Sequence, residues 1–346
     1  SLTNVREAIF DAIPLNLKKG VSVGIGIFIA FIGLQNAKLV IGNKSTLVSI
    51  TNFTKDFHTA GICSLLAVVG LLITVILYIK QVPGSILILA TWVIGILATW
   101  VIGMLCQITG IYVPDFKTGY YSLFPTFAMT DFSKLGETFG KCFQYDLGKV
   151  GIFNFIAVVL SFLFVDLFDT LGTLVGVSTK AGMLNEEGKL PGIKPALMAD
   201  AVATTAGAVL GTSTVTTFVE SSSGVAAGGR TGLTAVVSGF LFLISTLFAP
   251  LFTAIPSFAT APALIMVGFL MFGAISDIKF TDDNMTEAVP AYLCIIAMPL
   301  FYSISEGISI GIISYVILNV VCGKAKKITP LMYVLAVLFI LKYAVL

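Results

Sequence analysis

Long apolar runs recur from one end of this chain to the other, and they leave room for little except a bundle of membrane-crossing helices. The runs at 20–37, 61–79, 84–106, 150–177, 195–210, 212–229, 231–254, 260–277, 288–304, 306–322 and 330–346 are near or above the roughly 18 residues needed to cross hydrocarbon. Only 11% of the 346 residues are charged, against roughly a quarter in a soluble domain, so no sizeable soluble domain fits between the runs. The chain reads as an all-α polytopic membrane protein whose partner is the lipid bilayer. A formal net charge of +2 argues for neither nucleic acid nor an acidic partner.

The first hairpin is marked by the turn KQVPGS between runs 61–79 and 84–106. A polar and aromatic connection follows over 107–148, and its IYVPDFKTGYYSLFPTF suits the membrane–water boundary. It divides the chain into segments 1–148, 149–256 and 257–346. Lys18, Lys19, Lys80, Lys180, Lys189, Lys194 and Arg230 fall on one side if the crossings alternate, and the bias of Lys and Arg makes that side cytoplasmic. GKAKK at 323–327 falls there too. The last run, 330–346, is then an extra segment for which crossing, re-entry and a surface position all stay open. LATWVIG occurs twice, at 89–95 and 97–103, an offset too short for a solenoid and consistent with a local duplication. GIGIFIAFIGL at 24–34 faintly resembles VGFLMFGAISDI at 267–278, as related transporter halves do.

Cys63, Cys106, Cys142, Cys294 and Cys322 are far apart, with no CxxC or metal-ligand spacing, and read as small packing residues. His58, in KDFHTAG, reads as a solvated loop residue. No metal or cofactor is expected.

Against this apolar background, FVDLFDTLGTLVGV at 164–177 carries Asp166 and Asp169. Three residues apart on a helix, they share a face. A carboxylate in a low-dielectric interior must be paired, hydrogen-bonded or protonated, and such groups mark ion or substrate pathways. A buried pair held by neighbouring hydroxyls is the structural alternative. A second stretch, GTSTVTTFVESSSGVAAGG at 211–229, is too rich in Gly, Ser and Thr for a regular membrane helix. Its TVTTFV alternates like a short strand, and Glu220 precedes a run of small residues. This reads as broken backbone, with Glu220 at the start of a half-helix aimed into a cavity. A small-residue packing seam would explain the Gly and Ala but not the acid. Gln35 and Asn36, ending the first run, read as capping or interfacial groups.

At these motifs the chain resembles the guanine/hypoxanthine (AzgA-like) branch of the nucleobase:cation symporters, the xanthine/uracil permease superfamily. FIAFIGLQNA at 28–37 and MPLFYSISEGISIGIISY at 298–315 carry the same resemblance. It implies a 7+7 inverted-repeat transporter fold with core and gate domains and a discontinuous strand/half-helix segment. The first four helices of that fold, and the strand expected to pair with TVTTFV, have no counterpart in these residues. On this resemblance 1–148 and 257–346 supply gate helices and 149–256 the core. Asp166 and Glu220 would contact the base, with Thr217 and Ser221 completing the substrate-binding set, and Asp169 with Asp166 would serve proton coupling. The implied partners are a purine nucleobase and a proton, with a homodimer as the assembly to test. Guanine and hypoxanthine lead, and adenine, xanthine and uracil are the alternatives. An intramembrane aspartyl protease fits poorly, because no GxGD occurs. Three membrane acids likewise disfavour an anion transporter.

Overall fold

The computed structural model describes residues 5–80, 87–115, 119–125, 128–144, 155, 166, 170, 173–174, 176–179, 181–185, 189–212, 215–218, 221–226, 228–229 and 231–345. Helices α1 (Val5–Ala12) and α2 (Leu15–Asn36) are followed by a hairpin of β1 (Val40–Asn43) and β2 (Leu47–Ile50). Next come α3 (Ile62–Ile79), α4 (Leu87–Ile108), α5 (Ile193–Leu210), α6 (Ser221–Ala226) and α7 (Gly232–Leu247). The C-terminal elements are α8 (Ser257–Phe272), α9 (Met285–Phe301), α10 (Ile304–Val321) and α11 (Pro330–Val345). Among the described residues, five helices are long and apolar enough to cross a membrane. The 22 residues of α2 span about 33 Å, enough for a hydrocarbon core.

The expected runs and the observed helices coincide to within a few residues over most of the chain, with three differences. The run 231–254 is not one helix: α7 stops before Phe248, and Ala249–Thr253 forms a separate turn with a proline in its first two positions. The all-α expectation omits the β1–β2 hairpin, in which Val40 lies opposite Ile50 and Asn43 opposite Leu47. Its turn is closed by the Asn43 side chain, whose Oδ1 accepts the Ser45 amide at 2.8 Å. His58 is exposed, as expected, but sits in the helical turn Phe57–Gly61 leading into α3, with Nδ1 2.9 Å from the Ile111 carbonyl. The run 150–177 lies mostly outside the described residues.

The chain forms two compact units, one of residues 1–28, 132–221 and 271–346, the other of 29–131 and 222–270. In the first, α9 is flanked by two Gly-x-x-x-Gly faces. A Cβ on Gly20 would lie 2.9 Å from that of Ala291, and one on Gly24 2.7 Å from Met298 Sδ. From α10, a Cβ on Gly307 would lie 2.2 Å from Met298 Cγ and one on Gly311 3.0 Å from Cys294 Cβ. Lipid tails are as apolar as leucine, so helices in a bilayer associate through this kind of close packing rather than by escaping water. Cys294 is buried in that contact, in keeping with a packing role, whereas Cys142 and Cys322 are exposed.

The last helix has a definite path. Tyr333 Oη donates to the Ala325 carbonyl at 3.4 Å near the start of α11. At its other end Tyr343 Oη meets Ser309 Oγ at 2.5 Å, in the first two turns of α10. α11 therefore runs antiparallel beside α10. The end is fastened by Glu306, which accepts from Lys342 Nζ and from Tyr343 Oη. The acid stands in the first turn of one helix and the cation in the last turn of the other, so each also complements a helix dipole. Ser303 and Glu306 form half a capping box: Ser303 Oγ accepts the Glu306 amide at 3.3 Å, while the carboxylate goes to α11 instead.

In the second unit α3 and α4 lock reciprocally. Thr99 Oγ1 donates to the Gly95 carbonyl at 2.7 Å and fills the space over Gly70, where an added Cβ would lie 2.1 Å from it. Thr74 Oγ1 donates to the Gly70 carbonyl at 2.8 Å and covers Gly95, where a Cβ would lie 2.3 Å away. Beside them Ala37, Ile62, Leu66, Trp100, Leu123 and Phe258 form the core, with Trp100 Nε1 donating to the Leu123 carbonyl at 2.8 Å.

Lys342 and Glu306 have 17% and 25% of their side chains exposed, and removing one partner of a buried pair costs about 3–5 kcal/mol. The pair is part-buried, between that case and an exposed pair, so Lys342→Met should lower stability in detergent by about 1–3 kcal/mol. Lys342→Met combined with Glu306→Met should recover most of the loss. A thermal unfolding midpoint unchanged in the single variant would show that the pair does not fasten α11.

Candidate functional site

The site begins with the first acid that the sequence singles out. Asp166 is helical and half-buried. One turn on, Thr170 is fully buried, on the same face by the i, i+4 rule. Thr170 Oγ1 lies 3.3 and 3.4 Å from the two carboxylate oxygens of Asp200 and 3.1 Å from Thr216 Oγ1. Thr173 Oγ1, buried one turn further, donates to the Thr170 carbonyl at 3.0 Å. A single hydroxyl thus joins three segments: helical Thr170 itself, helix α5 carrying Asp200, and the extended residues 215–218.

Asp200, only 8% exposed, is the site residue that the sequence reading passes over. Its signal is present, however. Asp166-x-x-x-Thr170 and Asp200-x-x-x-Thr204 repeat one spacing, and on a helix each places a carboxylate and a hydroxyl on one face. Thr204 Oγ1 donates to the Val215 carbonyl at 2.7 Å.

The broken backbone is real. Helix α5 ends at Gly211 (φ 79°), with the Thr212 amide returned to the Gly207 carbonyl at 2.9 Å. That closure requires left-handed backbone, which glycine adopts without strain. Residues 215–218 have no regular secondary structure. The Ser221 amide then donates to the Phe218 carbonyl at 3.2 Å as the six-residue helix α6 begins. Gly228, at φ 103°, closes it. The strand expected in TVTTFV is not formed by its described residues, which pair with no second strand. Side-chain hydroxyls serve instead, Thr204 taking the Val215 carbonyl and Thr170 engaging Thr216. Thr217 is half-buried in the same segment, and Ser221 is exposed at the start of α6. Asp169 and Glu220 lie outside the described residues. The structure therefore brings together Asp200, the Thr170–Thr216 bridge and the extended segment carrying Thr217, with Asp166 four positions before Thr170 in the chain.

Ionised carboxylates can only accept, whereas hydroxyls both donate and accept. Such a cluster can receive ring N–H groups and answer ring acceptors, and it has the makings of a polar seat in an apolar protein. It contains no nucleophile–base pair among the described residues.

Residues 1–310 match the model of a family described as Permease family (Xan_ur_permease). The chain belongs to the xanthine/uracil permease family. Among its relatives are two guanine/hypoxanthine permeases of Bacillus subtilis strain 168. PbuG is 45% identical over 99% of this chain and 71% of its own length, and PbuO 44% identical over 100% and 74%. Adenine permease AdeQ of Escherichia coli K12 is 37% identical over 99% of this chain and 70% of its own length. As a member of the xanthine/uracil permease family, the protein is a multi-pass membrane transporter and not an enzyme, in line with the resemblance read from its motifs.

The bridging hydroxyl gives a direct test. Thr170→Val keeps the side-chain shape but withdraws a donor from the buried Asp200 carboxylate, at a cost of about 1–3 kcal/mol. Its thermal midpoint should fall, while Thr170→Ser should stay near the parent. Equal midpoints for all three proteins would mean that Thr170 does not hold Asp200.

Proposed function

We propose that the protein takes up purine nucleobases, with guanine and hypoxanthine as the leading substrates, and that it does so together with protons. The observation that carries this reading is the convergence of two Asp-x-x-x-Thr faces on a broken backbone segment in a permease whose relatives include guanine/hypoxanthine permeases. Hypoxanthine and guanine present ring N–H donors beside carbonyl and ring-nitrogen acceptors. Carboxylates of Asp166 and Glu220 would receive the donors, with Thr217 and Ser221 answering the acceptors. Asp169, beside Asp166, would carry or tune the coupled proton, since neighbouring acids in a low-dielectric site cannot both stay ionised at ordinary cost. In this scheme 149–256 form the core of a 7+7 inverted-repeat fold that moves against gate segments 1–148 and 257–346, with a homodimer as the assembly.

The adenine permeases among the relatives favour one second reading, adenine uptake. Adenine offers an exocyclic amine where hypoxanthine has a carbonyl, so the two invert the hydrogen-bond pattern on that edge. Uptake of radiolabelled hypoxanthine into proteoliposomes, competed by unlabelled guanine, hypoxanthine and adenine, separates the readings. Competition by guanine and not adenine is expected, and the reverse order would move the assignment to adenine.

Two substitutions test the roles. Glu220→Gln keeps the shape but replaces one acceptor oxygen with a donor, and a charge-assisted bond contributes about 1.5–3 kcal/mol. Hypoxanthine affinity should fall about tenfold or more, and unchanged affinity would remove Glu220 from the site. Asp169→Asn should still bind base while accumulation stops responding to an imposed pH gradient, whereas Asp166→Asn should weaken binding itself. Matching losses of both properties in both variants would undo this division of roles.

A further inference from the structure

Away from the acids, the unit formed by residues 29–131 and 222–270 encloses a cavity of 340 Å³. The C-terminus of α2, the start of α3 and the start of α8 all border it, through Asn36, Cys63 and Ser257. Three candidate spans begin or end there, which puts the cavity at the membrane boundary, and Tyr112, Tyr120 and Tyr121 in its wall suit that depth. Burial raises the phenol pKa values of both Tyr112 and Tyr120, so these rings are neutral at physiological pH.

Among the lining residues Lys38 alone carries a formal charge, and it stands in an unusual place. The Leu39 amide returns to the Leu34 carbonyl at 3.0 Å and the Lys38 amide to the Gln35 carbonyl at 2.9 Å, so α2 ends in a Schellman motif. The residue at its left-handed position is Lys38, at φ 59°. Glycine is the residue favoured there, because a Cβ is strained in that conformation. A lysine at such a position lines the cavity at the expense of backbone comfort, a pattern that accompanies function. Two of the neutral polar groups can donate. Ser122 Oγ already accepts from Gln107 Nε2 at 3.1 Å and from the Phe124 amide at 3.4 Å, which leaves its own proton to donate. Asn36 supplies a side-chain amide, whereas the Ser257 hydroxyl is donated to the Asn36 carbonyl at 3.4 Å and the Ala259 amide to the Pro256 carbonyl at 2.9 Å.

We propose that this cavity is a phosphate-binding site seated on Lys38, with Asn36 and Ser122 as its neutral partners, taking the headgroup phosphate of an anionic phospholipid or a free small phosphate. The volume lies at the low end of roughly 300–1,000 Å³ for ligand pockets, which fits a headgroup and not a full nucleotide with its base and sugar. One cation and two neutral donors match one negative charge.

The test is the thermal midpoint of the purified protein in a phosphate-free neutral detergent. Inorganic phosphate and short-chain phosphatidylglycerol are titrated separately, against chloride at equal ionic strength. A saturable rise with either supports the site, phosphate identifying a free anion and phosphatidylglycerol a lipid headgroup. Lys38→Arg should keep the rise and Lys38→Gly should abolish it, while the ligand-free midpoint of Lys38→Gly stays at or above that of the parent. A purely structural Lys38 would instead lower it. Should Lys38→Gly fail to fold, Ser122→Ala decides: loss of one bond to an anion raises the apparent dissociation constant about tenfold or more. No rise beyond chloride with either probe, a rise that survives in Lys38→Gly, or an unchanged constant in Ser122→Ala would overturn the proposal.

Discussion

A bilayer offers no hydrogen bonds, so every backbone N–H and C=O at membrane depth must find its partner inside the protein. Regular helices meet that demand by themselves. Between α5 and α7 regular helix is given up at residues 215–218 and kept in the short α6, and the partners come from elsewhere: left-handed glycines at 211 and 228, the Thr204 hydroxyl on the Val215 carbonyl, and Thr170 engaging Thr216. Threonine is suited to this task because one hydroxyl can both donate and accept. The same hydroxyl chemistry that makes the broken segment tolerable also lines it with polar groups. The polar cluster thus arises from the needs of the fold.

Close approach is the second half of the architecture. With no water to expel between helices, attraction depends on contact area and short distance. Glycines at 20, 24, 307 and 311 let α9 be approached from both sides, and the core that holds Val23 and Ala291 together is apolar. Charge is used sparingly. Glu306 and Lys342 are placed at helix ends, where the dipoles favour them.

Hydropathy made the long helices legible, because a span is specified by composition over some twenty residues and needs no tertiary information. The edges of α3, α4 and α5 fall within three residues of the expected runs. Shorter features lack that averaging. The β1–β2 hairpin rests on an Asn43 side-chain turn and a few exposed strand residues, a pattern without apolar alternation strong enough to announce it. Asp200 was hidden for a different reason. It is a single acid in a modest helix, and its meaning appears only when Thr170, thirty residues away, lies against it. The TVTTFV alternation misled because strand-like spacing of β-branched residues also serves a segment whose hydroxyls, and not a neighbouring strand, take up the hydrogen bonds.

The duplicated LATWVIG acquires a meaning from the Gly–Thr lock. In the antiparallel pair, Gly70 meets Thr99 and Thr74 meets Gly95. A slip of four residues would set Thr74 against Thr99 or Thr91, one bulky group on another, and leave Gly70 facing a second glycine. A slip of eight residues is different, because the copy supplies Gly103 opposite Thr74 in one direction, or Thr91 opposite Gly70 in the other. The duplication thus creates neighbouring registers that keep one of the two contacts, while the observed one keeps both. What separates them further lies outside the lock. The Phe258 ring stands 3.1 Å from where a Cβ on Gly103 would be, and the Trp100 indole is tied to the Leu123 carbonyl. A hairpin whose two helices could nearly fit in more than one alignment is held to one by an aromatic ring and a single indole hydrogen bond.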